Sequence, residues 1–75
     1  MPPLLEAIME YGFNELMAIA SRAAKTEHEI SFLNGLRIFG RVKAHYLNGA
    51  VLCYDIRDGR LIFEILPDGK ALLMV

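Results

Sequence analysis

A mainly β domain preceded by a helical segment is what this sequence predicts, and two observations predict it. Four Asx-Gly dipeptides, Asn34-Gly35, Asn48-Gly49, Asp58-Gly59 and Asp68-Gly69, divide the second half of the chain into short apolar or alternating stretches. Asn, Asp and Gly reach positive φ at low cost, which tight hairpin turns require, so the spacing reads as five antiparallel strands in succession. Ahead of them, apolar residues recur every three or four positions, the period of a helix. The chain has 75 residues, enough for one domain over 1–75, with a helical segment at 3–25 and the strands at 29–75.

In the helical segment Leu5, Ile8, Leu16, Ile19, Ala20 and Ala23 form one apolar stripe. Gly12 interrupts it. The reading is a leading helix to Tyr11 and a main helix from about Glu15 to Lys25, with Asn14 as N-cap, Glu15 in the first turn, and Arg22 and Lys25 complementing the dipole at the far end.

The first strand is expected at Glu29–Leu33, the second at Leu36–Leu47, the third at Ala50–Arg57, the fourth at Arg60–Leu66 and the fifth at Ala71–Val75. The second alternates clearly: Leu36, Ile38, Val42, Ala44 and Tyr46 on one face, Arg37, Phe39, Arg41, Lys43 and His45 on the other. Gly40 falls in its middle, where a missing side chain lets a strand bend and another pack close, so the expected sheet rolls into a barrel. The runs Leu61-Ile62-Phe63 and Ala71 to Val75 are apolar on both faces. An edge made of Leu72 to Val75, with no charge or proline to blunt it, would seek a partner strand.

A domain of this size buries only about 60% of the surface its unfolded chain exposes. Apolar residues nonetheless make up 55% of the chain, more than one small interior should hold, and the excess points to a partner. The formal net charge of −1 advertises no global attraction for polyanions, so any such site must be local. The single cysteine, Cys53, excludes an internal disulfide framework and a cysteine-based zinc site. Acidic residues interrupt the N-terminal apolar stretch and no run reaches membrane-spanning length, so a cytoplasmic protein without a membrane partner is expected.

No constellation of catalytic residues emerges. Ser21, Ser31, Thr26 and Cys53 have no histidine at a recognised motif spacing, and every glycine belongs to a turn, a bend or the helical break rather than to a phosphate-cradling loop. Glu27, His28 and Glu29 form a solvent-exposed polar cluster rather than a metal site. The expectation is a non-enzyme that uses no metal or cofactor.

The run Ile30-Ser31-Phe32-Leu33-Asn34-Gly35-Leu36-Arg37-Ile38-Phe39-Gly40-Arg41-Val42 resembles the first signature of the Sm and LSm family, which includes bacterial Hfq: an apolar strand, an Asx-Gly turn, and a strand with a glycine five residues on. The resemblance implies an N-terminal helix capping a small, strongly bent five-stranded antiparallel barrel, and a homo-oligomeric ring of about five to seven subunits closed by pairing of the fourth and fifth strands of neighbours. The subunit interface would then comprise Leu61, Ile62, Phe63, Leu72, Leu73, Met74 and Val75. The family's usual Asp after the second strand falls at Tyr46 and its base-holding Asn at Ala50. By Hfq spacing, the stacking aromatic falls at Asn48 and the Tyr-Lys-His segment near Phe63-Glu64-Ile65, so the base-reading residues are not retained.

The implied function is non-catalytic binding of single-stranded RNA. Cations hold phosphate and rings stack bases, which singles out Arg37, Arg41, Lys43 and His45 on the second strand, with Tyr46, Asn48 and Lys70 near the pore. The competing reading is a ring-forming protein-interaction scaffold that binds no nucleic acid.

Overall fold

The structure, a computed structural model, describes residues 11–75. Of the expected leading helix only Tyr11 falls within that range; the rest lies outside the described residues. Two helices, α1 (Phe13–Ala23) and α2 (Glu27–Phe39), precede four strands, β1 (Val42–Leu47), β2 (Ala50–Asp55), β3 (Leu61–Ile65) and β4 (Ala71–Leu73). The strands form an open antiparallel meander in the order β1-β2-β3-β4. The domain is thus α+β.

The difference from the five-strand expectation lies entirely between residues 27 and 39. The expected first strand and the first third of the second, Leu36 to Phe39, are the single helix α2, and Asn34-Gly35 sits inside it. Both ends of that helix are closed by local chemistry. At the start, Thr26 Oγ1 accepts from the Glu29 amide at 3.1 Å and Glu29 Oε1 accepts from the Thr26 amide at 3.0 Å, a reciprocal capping box. At the end, Gly40 takes φ 61° and ψ 35°. The Arg41 amide reaches back to the Leu36 carbonyl at 3.0 Å and the Gly40 amide to the Arg37 carbonyl at 3.4 Å, a Schellman closure. Gly40 therefore ends a helix instead of bending a strand. An added Cβ there would meet nothing within 4 Å, so no strand packs across it.

Helix α1 starts two residues earlier than Asn14 as N-cap would place it. Gly12 is its N-cap, the Leu16 amide bonds the Gly12 carbonyl at 3.0 Å, and Asn14 lies within the first turn. It ends at Ala23, where the Ala24 amide turns back to Ser21.

The remaining three Asx-Gly pairs are turns. Asn48 and Gly49 both have positive φ, 51° and 84°, the pair a two-residue hairpin needs between right-twisted strands. Asp58 Oδ1 accepts from the Arg60 amide and Asp68 Oδ1 from the Lys70 amide, both at 3.0 Å, so each aspartate orders its own turn.

Register assigns the faces. Val42 pairs with Asp55, Ala44 with Cys53 and Tyr46 with Val51, while Cys53 pairs with Phe63 and Phe63 with Leu73. This face carries the helices: Leu16, Met17, Ile19 and Ala20 of α1 and Leu33 and Leu36 of α2 join Val51, Cys53, Ile62, Phe63 and Ile65 in one core. Burial of each such large side chain contributes about 1.5–3 kcal/mol. A register irregularity opposite Cys53 and Tyr54 lets both Ile62 and Phe63 turn inward, at 1% and 0% exposure. That explains why Leu61-Ile62-Phe63 reads as apolar throughout.

Candidate functional site

The opposite face of the sheet is covered by neither helix. Strand alternation places His45, Leu52, Glu64 and Leu72 there in one transverse row, through the pairs His45–Leu52, Leu52–Glu64 and Glu64–Leu72. A second row follows through Lys43–Tyr54 and Tyr54–Leu61. Leu72 is 51% exposed and Met74 38%. The face thus has an apolar middle, a lysine and a histidine on β1 and one carboxylate on β3.

At the end of this face nearest the β2–β3 turn, Lys43, His45, Tyr54, Asp55, Ile56 and Gly59 line an open depression of about 450 Å³. Asp55 anchors it. Its Oδ2 accepts from Arg41 Nη2 at 2.7 Å and its Oδ1 from the Arg57 amide at 3.0 Å. The Arg57 guanidinium lies 3.9 Å from the same carboxylate. The Arg41 hydrogen bond, helped by the Arg57 amide and opposed by burial, holds the Asp55 carboxyl below the ordinary aspartate range. Both oxygens are engaged, so this carboxylate serves as a brace for the turn and is not poised to move protons. The brace extends to the backbone, because the Ile56 amide donates to the Arg41 carbonyl at 2.7 Å. Arg41 Nε is shut off from solvent with no acceptor among the described residues.

The expected RNA-contacting residues are dispersed by this architecture. Lys43 and His45 share the outer face and line the same depression. Arg41 is half-buried against Asp55. Arg37 is on the exposed side of α2, whose last turn also exposes Ile38 and Phe39 at 69% and 72%. Tyr46 belongs to the helix-facing side of β1, Asn48 holds the left-handed position of the β1–β2 turn, and Lys70 sits in the β3–β4 turn. Those two turns lie at one end of the sheet; Lys43 lies toward the other.

Of the expected interface residues, Ile62 and Phe63 are inside the core and Leu73 and Val75 pack against it. Leu61, Leu72 and Met74 remain at the surface. The sequence reading missed Tyr54, whose ring lines the depression from the outer face; its cross-strand position opposite Lys43 follows once the Asn48-Gly49 hairpin is registered. Cys53 is fully buried, and desolvation pushes its thiol up to about 12. Among the described residues no group of His, Cys, Asp or Glu side chains is arranged to hold a metal ion. No helix among them is long and apolar enough to cross a membrane.

No protein-family model matches the chain, and neither a curated protein nor a solved structure matches it.

Proposed function

We propose that the chain is a non-catalytic assembly module that forms a two-fold dimer through the outer face of its sheet. The observation that carries this reading is the apolar middle of that face, Leu52, Tyr54, Leu61, Leu72 and Met74, which no other described residues cover, while α1 and α2 fill the core on the other face. The charges favour a second copy. A two-fold axis near β2 sets β1 of one subunit, bearing Lys43 and His45, across from β3 of the other, bearing Glu64. Three strands of five or six residues and one of three, about 4.8 Å apart with a rise of about 3.3 Å per residue, give a flat footprint of about 300 Å². That is small for a stable interface and marks a weak, transient one.

Light scattering on the eluting protein at about 100 μM tests this. The parent should show twice the chain mass and Leu72→Lys the single mass, with unchanged circular dichroism. A parent that stays monomeric, or a Leu72→Lys variant that keeps the doubled mass, overturns the reading. A mass of five to seven subunits would instead favour a ring, closed by pairing of the edge strands β4 and β1 of neighbours.

Single-stranded RNA binding is the second reading, favoured by one observation: Lys43, His45 and Tyr54 line the same depression. A cation for phosphate and a ring for a base stand side by side there. Saturable, salt-sensitive binding of a uridine-rich oligonucleotide that Lys43→Ala and Tyr54→Ala both abolish would establish it.

A further inference from the structure

Strand β4 ends the sheet, and the direction of its hydrogen bonds decides what its free side can take. The Leu66 amide donates to the Lys70 carbonyl at 2.8 Å and the Met74 amide to the Ile62 carbonyl at 2.7 Å. With Glu64 opposite Leu72, the alternation of an antiparallel ladder turns the backbone of Lys70, Leu72 and Met74 toward β3. It leaves the amides and carbonyls of Ala71 and Leu73 pointing off the sheet.

Those groups, unpaired among the described residues, open into a groove. Two adjoining depressions of about 280 and 310 Å³ run between the C-terminal end of α1 and β4, sharing Arg22, Ala23 and Ala71 in their walls. Lys70 lines one, Lys25 the other. The only ion pairs among the described residues are those of Asp55, so Arg22, Lys25 and Lys70 have no carboxylate within 4.0 Å there. Glu29 also borders the groove; its Oε1 accepts from the Lys25 and Thr26 amides at 2.8 and 3.0 Å, and its charge offsets that of Lys25, which leaves Arg22 and Lys70 as the net positive charge of the groove.

We infer that this groove binds an extended acidic peptide segment, which adds to β4 as a fifth strand. The backbone of the incoming segment would pair with Ala71 and Leu73. Its alternate side chains would face the helices, as Ala71 and Leu73 do, and there they meet Arg22, Lys25 and Lys70. The segment recognised therefore carries carboxylates at every second position, with apolar residues between them extending the outer face beside Leu72. Charge argues against a second copy at this edge, because antiparallel pairing of two β4 strands would bring two such cationic rims together.

The probe is a fluorescein-labelled, end-blocked seven-residue peptide alternating valine and glutamate, with a valine–lysine counterpart as control, titrated by anisotropy. The parent should bind the glutamate peptide saturably, more weakly at high salt, and ignore the lysine peptide. Hydrogen exchange should slow at the Ala71 and Leu73 amides. Lys70→Glu, at an exposed turn, should weaken binding about fivefold. Ala71→Pro removes an outward amide at the first residue of an edge strand, where proline is tolerated, and should weaken binding about tenfold. No saturable binding, equal binding of the lysine peptide, or parent-like affinity in Lys70→Glu overturns the inference. A doubled mass that Ala71→Pro abolishes without peptide would give the edge to a second copy, and also overturns it.

Discussion

Gly35 offers a test of the fold in which the two readings of residues 27–39 predict opposite signs. In a hairpin turn, Gly35 would need positive φ and alanine there would be strained. In α2 it needs no such freedom: the glycines with positive φ among the described residues are Gly40, Gly49, Gly59 and Gly69. A Cβ built on Gly35 meets nothing within 4 Å. The substitution Gly35→Ala then leaves packing untouched and removes the helix-interior penalty of glycine, about 1 kcal/mol. For a domain of this size that should raise the melting temperature by about 4–8 °C. Gly40→Ala is the matched control. Its site is equally open, but φ is 61°, so alanine should cost about 1–2 kcal/mol, partly offset by a stiffer unfolded chain. Asn at the same position should cost less, since its short polar side chain tolerates the left-handed region. Thermal unfolding followed by far-ultraviolet circular dichroism reads all three. A lower melting temperature for Gly35→Ala would refute helix α2 and restore a turn at Asn34-Gly35.

Two further predictions concern buried groups. The Asp55 carboxyl is held below its unfolded value by Arg41 and the Arg57 amide, so its contribution to stability is full above about pH 4 and is lost as pH falls through the lowered folded value. Denaturant unfolding should show stability declining below that pH, and Asp55→Asn should be less stable at neutral pH with a shallower acid decline; an identical acid slope would show that the brace is not what titrates. Cys53, with its thiol pushed up to about 12 by burial, should resist an aromatic disulfide reagent at pH 8 until denaturant is added, and stoichiometric labelling of the native protein within seconds would contradict the buried position.

The sequence by itself determined the hairpins of the second half, because their chemistry is local. Asn48-Gly49 can hold two consecutive positive φ values, and the aspartates at 58 and 68 hydrogen-bond their own turns. The alternation of Val42, Ala44 and Tyr46 against Lys43 and His45 then set the faces of β1 before any packing was known. Parts of α2 were equally legible. Thr26 and Glu29 stand at capping-box spacing, Leu33 and Leu36 are three apart, and Gly40 follows the last apolar residue, the usual place for a helix-ending glycine. Those signals compete with an Asx-Gly pair and with Ile30, Phe32, Leu36 and Ile38, which also fit a period of two. Local propensity cannot decide between the two patterns, since each leaves some apolar residues outside. Tertiary structure decided it: as a helix, the segment buries Leu33 and Leu36 to 1% and 0% exposure against α1 and the sheet, a gain of several kcal/mol that outweighs the weak helix propensity of Asn34 and Gly35. The same choice removed the strand that would have closed a barrel. With α2 spent on one face, the sheet stays open and, among the described residues, its other face and last edge remain free, which no local signal in the chain could specify.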